Sequence, residues 1–504
     1  MHATKRPLRA ISIAFACSFL LTAAFARAAD HFLAIGGGDS PTNNQVSLEK
    51  NVLFFQRLLS DCQGAVPDVL FSNGKAGTRD LQFEPDEDPP RINILLARLL
   101  GREWDVNYHY RKHEIPGLSG PSTHAGLENW FNTEGKKLTD GDRLIIYFTG
   151  HGGPGRPPQN TTLSMWCERP MEVTEFTGLL DRLSPKVQVV LIMVQCHSGG
   201  FASTIFKNGK VGTELSTARR CGFFATTYDR NAAGCTPDTA EDDYKDYSTY
   251  FFAALDGKTR TGKPIGKCDL DGDGRVSFAE AHAYTLIHSD TIDVPTTTSE
   301  ALLRQFSKST GNWNTRPQMP FQTLLTRASV TQKAVLEGLS DQLKLSGDDR
   351  QTEVNHLADL IESERKTAER DEKQKQRELD NLTNNIRTRL LQRWPELSNS
   401  WSPQTMDLLA HQAPAIMDAI DKDSDAARWE LLRRDINKLE DHQLDLERRW
   451  VKCRRLSRML ETTALAANLK KFAPPEIVER YKQMVEDEGG VLSPKALAGA
   501  GAEK

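Results

Sequence analysis

Once its first thirty residues are set aside, the chain lacks any apolar run long enough to cross a bilayer. No later segment of the 504 residues reaches the roughly eighteen apolar positions that a membrane helix needs. A basic excess is missing too: 64 Lys and Arg stand against 68 Asp and Glu. That balance argues against a nucleic-acid or anionic-membrane partner, which would call for a positive face. Cysteine is scarce, with eight residues in all.

The opening residues carry what the rest does not. Lys5, Arg6 and Arg9 precede an apolar run from Ala10 to Ala26, and Ala26-Arg27-Ala28 offers a small-x-small cleavage site. Residues 1–28 therefore read as a secretory signal peptide, and the mature protein is expected in the periplasm or outside the cell. Losing four basic and no acidic residues with it moves the formal charge from −4 to −8. Seven cysteines remain, and an odd number in an oxidising compartment suggests that at least one thiol is kept free. Cys221 and Cys235 are near enough in sequence to be a candidate bridge, although spacing does not fix connectivity.

From Asp30 to about Arg327 short apolar runs alternate with amphipathic stretches. Strands are expected at 32–35, 66–71, 144–148, 187–194 and 222–227, and helices at 48–59, 92–100, 125–132 and 173–183. Continuous rather than alternating apolar strands, separated by helices, imply a mostly parallel sheet covered on both faces. After Arg327 strand signals vanish. Residues 328–490 read as a helical hairpin or short coiled coil, with Leu379, Leu382, Ile386 and Leu390 on one stripe. Leu431, Leu432, Ile436, Leu439 and Leu446 form the other. The expected class is thus α/β with an α-helical C-terminal region. Residues 491–504 read as a disordered tail.

Reactive groups of an open parallel sheet gather at the carboxyl ends of its strands. The strand at 144–148 runs into Thr149-Gly150-His151-Gly152-Gly153, and that at 187–194 into Gln195-Cys196-His197-Ser198-Gly199-Gly200. About forty-five residues with one helix separate His151 from Cys196, which suits a single crossover between neighbouring strands. Alone, a cysteine ending an apolar strand is more often a core thiol, and His-Gly-Gly is often only a turn. Paired at this spacing they suit nucleophilic catalysis. Imidazole lowers a thiol pKa from about 8.5 to roughly 3.5–7.5 and later protonates a leaving amine. The N–H groups of Gly152 and Cys196 are the natural oxyanion donors.

At these residues the sequence resembles the caspase-like clan of cysteine peptidases, which includes caspases, metacaspases, gingipains and legumains. Thr149 to Gly153 looks like the clan's histidine motif, and Gln195 to Gly200 like its nucleophile motif. Phe224-Ala225-Thr226-Thr227 and Ala232-Ala233-Gly234-Cys235 add legumain similarity. The resemblance implies a caspase-like fold and a protein or peptide substrate. It departs at Val194, where clan members carry an acid or amide that lines the specificity pocket, and in Gly36 to Asn44, which lacks the legumain basic pair. No substrate-binding residue is therefore carried over, and Asp246 enters the pocket by analogy only.

Asp269 to Glu280 matches the twelve-residue EF-hand loop. Asp269, Asp271, Asp273, Ser277 and Glu280 supply side-chain oxygens, Arg275 a main-chain carbonyl, and Gly274 the sharp turn. A helix is expected from Phe278 to Ile287, while 256–267 makes a poor entering helix, so the Ca2+ is expected to be structural. Three functions stay open: a Cys-His endopeptidase with bound Ca2+, an inactive caspase-like scaffold, and a transpeptidase using the same dyad. Self-association or partner docking through the C-terminal helices accompanies each of them.

Overall fold

The computed structural model describes residues 29–62, 65–101, 103–308, 319–400 and 402–492. The expected signal peptide and residues 493–504 lie outside them.

The strands in chain order are β1 (Asp30–Gly37), β2 (Asp68–Phe71), β3 (Leu81–Phe83), β4 (His109–Arg111), β5 (Leu118–Gly120) and β6 (Arg143–Gly150). They are followed by β7 (Gly152–Gly153), β8 (Thr162–Leu163), β9 (Met171–Glu172), β10 (Gln188–Met193), β11 (Arg220–Phe224) and β12 (Thr296–Thr297). Seven of them form one sheet in the order β12-β11-β10-β6-β1-β2-β5, parallel except for the short edge strand β12. The apolar runs are continuous because both faces are covered. On β6, Ile145 and Tyr147 enter one core and Leu144, Ile146 and Phe148 the other. The first face carries helices α1 (Val46–Cys62), and α3 (His124–Thr133) lies on the opposite face after α2 (Arg91–Leu100) in sequence; α4 (Val173–Leu180) joins α3. Helices α5 (Tyr247–Asp256), α6 (Phe278–His288) and α7 (Thr298–Phe306) add to the α1 face.

The helical region comprises α8 (Phe321–Leu325), α9 (Val330–Gln342), α10 (Arg350–Arg393), α11 (Pro403–Asp421), α12 (Ala426–Phe472) and α13 (Pro475–Glu488). Helices α10 and α12 run antiparallel. The polar stretch from Ser363 to Glu378 is matched across them by Arg365–Glu447, Lys375–Asp435 and Glu378–Arg428. The exposed Glu378–Arg428 pair contributes only about 0–1 kcal/mol, and three ion pairs are few along helices of this length, so apolar packing must hold the hairpin down. At one end Ile386, Leu390 and Trp429 pack on Leu95 and Leu99 of α2. At the other, Leu446, Cys453 and Leu456 pack on Ala283 and Leu286 of α6 and on α9. Leu465, Leu469 and Met484 even enter the core of the sheet.

Three expectations need correction. Leu431 is 43% exposed, since the inward stripe of α12 runs through Trp429 and Leu432 instead. Residues 491–492 are ordered. Val491 pairs with Ser277, and its carbonyl accepts from Arg143 at 2.8 Å. The Cys221–Cys235 bridge is not formed: Cys221 points from β11 into the core, Cys235 lies in an exposed loop, and both are free thiols.

Candidate active site

Strands β6 and β10 are neighbours, and the last pair in their register is Phe148 with Met193. His151 and Cys196 each lie three residues beyond it. Parallel strands put equal offsets at equal heights, so the two side chains leave the same sheet edge together. Gly152 shows how closely the two loops approach. A Cβ there would lie 2.5 Å from both the Cys196 carbonyl oxygen and Gln195 Cγ, so only glycine fits.

The imidazole is held by residues from a third segment, the loop between β1 and α1. His151 Nε2 lies 2.8 Å from the Asn43 carbonyl oxygen and 3.0 Å from Gln45 Oε1. A carbonyl only accepts, so Nε2 carries the proton and Nδ1 is the ring's basic nitrogen. Asn43 and Gln45 lie more than a hundred residues before His151, and the sequence offers no spacing rule that would link them.

Cys196 is half-buried. Its Sγ lies 3.3 Å from the Ala232 N–H and 3.8 Å from the Ala232 carbonyl oxygen. Burial pushes the thiol pKa up and the charge of Asp293 adds to this, while the Ala232 contact pulls it down. Burial thus favours the protonated thiol. His197 follows with φ +60°, a left-handed conformation that costs a non-glycine residue about 1–3 kcal/mol. It is fixed by its N–H to the Arg230 carbonyl (2.8 Å), by Nδ1 to the Tyr228 carbonyl (2.8 Å), and by Thr161 Oγ1 to its own carbonyl (3.0 Å).

The residues before the nucleophile are turned away from solvent. Val194 belongs to the core cluster, and Gln195 is 1% exposed with neither amide atom hydrogen-bonded among the described residues. Asp246 does not offer a free carboxylate. It caps α5 through Thr249 N at 2.9 Å, accepts from Ser248 Oγ at 2.5 Å, and lies 3.8 Å from Arg260. Asp293 is a neighbour that the sequence did not suggest. It is 1% exposed, accepts from Ala233 N at 2.7 Å, and is pushed up to about 7, first by burial. His282 is likewise structural, its Nδ1 lying 2.8 Å from Tyr247 OH in the core.

In the acidic loop, carboxylate oxygens of Asp269, Asp271 and Asp273 come within 4.8 Å of one another. Gly272 and Gly274 turn the chain with φ of +80° and +85°. Burial alone would raise Asp269. Hydrogen bonds from Gly272 and Gly274, with the charge of Lys267, hold it below the usual carboxylate range instead. Glu280 stands apart from the three. Its Oε1 accepts from Leu270 N (2.7 Å) and its Oε2 from Ser277 N (2.8 Å), while Ser277 caps α6. The structure thus brings together three of the expected side-chain ligands and uses Glu280 and Ser277 to close the loop onto its helix. No helix enters the loop, because α5 ends at Asp256.

No curated protein matches the chain. Among solved structures, a structural-genomics protein from Geobacter sulfurreducens is similar at 12% identity, covering 53% of this chain and 92% of its own, with a TM-score of 0.31. Residues 122–255, the span that holds β6, β10, His151 and Cys196, match the family model of the peptidase C13 family. At the family level that match supports a caspase-like cysteine peptidase, and with it a protein or peptide substrate.

Proposed function

We propose that the protein is an exported cysteine endopeptidase in which Cys196 attacks the scissile carbonyl and His151 carries the proton. The observation that carries this reading is the equal placement of the two residues beyond paired strands, with His151 Nε2 held by Asn43 and Gln45. Because burial favours the protonated thiol, its proton passes to His151 Nδ1 as the C–S bond forms. The carbonyl π electrons move to oxygen, where the N–H groups of Gly152 and Cys196 are the proposed donors. His151 then protonates the leaving amine. Water hydrolyses the thioester by the same path in reverse. Whether an amine replaces water, giving transpeptidation, depends on the acceptor and not on these residues.

A peptidyl electrophile tests the reading. Incubation with a peptide chloromethyl ketone should add one adduct, located at Cys196 by peptide mapping and suppressed in His151→Ala. Equal labelling of Cys167 or Cys235, or none at Cys196, would favour an inactive scaffold. Self-association through the hairpin is the weaker expectation, since its apolar stripes are occupied by α2, α6 and α9.

The converging Asp269, Asp271 and Asp273 further support a Ca2+ site completed by the Arg275 carbonyl, Ser277 and Glu280. Its role would be structural, neutralising like charges at the N-terminus of α6. Chelation is expected to lower the melting temperature. Ca2+ at a hundred times its Kd would contribute about 2.7 kcal/mol. Titration calorimetry showing no heat at millimolar Ca2+ would remove the site.

A further inference from the structure

The thiol is positioned by the loop after β11, and that loop is held from outside by the C-terminal hairpin. Residues 230–233 border the nucleophile. The Arg230 carbonyl accepts from His197 N at 2.8 Å, and Ala232 N lies 3.3 Å from Cys196 Sγ. The Arg230 side chain turns the other way, to α12. Its Nη2 lies 2.5 Å from Glu447 Oε1, and its guanidinium lies 5.0 Å from the ring centroid of Trp450. Arg365 of α10 pairs with the other Glu447 oxygen and sits 5.6 Å from the same ring. The Arg230–Glu447 pair is partly shielded, with side chains 25% and 16% exposed, so it is screened less by solvent ions than an open surface pair. The indole face attracts both guanidinium groups through its ring quadrupole.

A second hold lies about two turns along α12. Arg455 binds the carbonyls of Ser289 (2.9 Å) and Asp293 (2.8 Å), and the Asp293 carboxylate accepts from Ala233 N at 2.7 Å. One helix therefore grips the loop on both sides of Ala232. The gripping residues Glu447, Trp450, Arg455 and Asp293 all lie outside residues 122–255, the span that matches the peptidase family.

We propose that Glu447 and Trp450 are positioning residues for Cys196: through Arg230 they fix the loop whose Ala232 N–H faces the thiol, which makes the helical hairpin a working part of the active site. The proposal goes beyond the peptidase reading and rests on one element of it, that Cys196 is the reactive thiol. A purely structural role would change stability without changing the chemistry of that sulfur.

The test is the pH–rate profile for alkylation of Cys196 by iodoacetamide in the full-length protein, read from the Cys196 peptide by mass spectrometry. It requires no turnover, so it separates this proposal from the peptidase reading. In Glu447→Gln the Ala232 N–H should drift from the sulfur. A rise of half a pKa unit would then slow alkylation near neutral pH about threefold and move the midpoint upward. Trp450→Phe should shift it the same way by less. The control is Arg433→Ala, which removes a partner of Glu103 at the far end of α12. Arg230→Lys, which removes the planar fork from the loop side, repeats the question if Glu447→Gln folds poorly. An unmoved profile, faster alkylation, or the same change in the control overturns the proposal, whether or not peptidyl electrophiles label Cys196.

Discussion

Replacing Cys196 by alanine should abolish peptide hydrolysis, with kcat/KM falling by roughly four orders of magnitude or to background. The size follows from the chemistry: without the sulfur no thioester forms, and a water attacking directly would have to be activated by an imidazole placed for a thiol. His151→Ala should cost nearly as much, because partial burial favours the protonated thiol, which needs the imidazole to take its proton. The two losses should not add, since both residues serve one proton transfer. Neither change should alter the melting temperature by more than a few degrees, as both side chains are only partly buried. Retained hydrolysis of a peptide mixture by Cys196→Ala would refute the mechanism.

Arg455→Ala should be the most destabilising single substitution on α12, costing about 3–5 kcal/mol in denaturant unfolding. The side chain is 1% exposed, and its guanidinium reaches the carbonyls of Leu286, Ser289, Thr291 and Asp293 and the Thr291 hydroxyl. These are the carbonyls left unpaired where α6 ends, together with those of the turn that follows it. Removing the fork leaves several buried acceptors without donors at once. Burial pushes the guanidinium down to about 10, so it still carries its charge at neutral pH. Lysine should rescue little, because one ammonium cannot reach carbonyls spread from Leu286 to Asp293. A loss below about 1 kcal/mol would mean that water replaces the guanidinium there.

Sequence and structure agree where a local pattern is enough to decide the outcome. Leu144 to Phe148 and Val189 to Val194 announce buried strands by being apolar at every position, and two-sided packing is what the cores show. The Asp-x-Asp-x-Asp spacing of residues 269–273 with Gly274 likewise dictates a turn in which carboxylates converge. Glu280 shows what spacing leaves out. Its spacing fits a metal ligand, and the structure adds that its carboxylate accepts from the N–H groups of Leu270, Asp271 and Ser277. On α12, Leu431 and Leu432 are equally apolar in sequence, and only the packing of α12 against its neighbours, α10 foremost, leaves the first exposed and buries the second.

By itself the sequence determined that one imidazole and one thiol leave the same edge of a parallel sheet, because strand periodicity and a single crossover fix both ends. It also determined that a helical hairpin follows. Only the tertiary structure decided what completes the site: Asn43 and Gln45 on the imidazole, Ala232 on the sulfur, and Glu447, Trp450 and Arg455 behind the loop. These contacts join segments up to some two hundred residues apart, and no local rule links them. Their geometry is set when the apolar faces of the sheet, α6 and α12 close on one another.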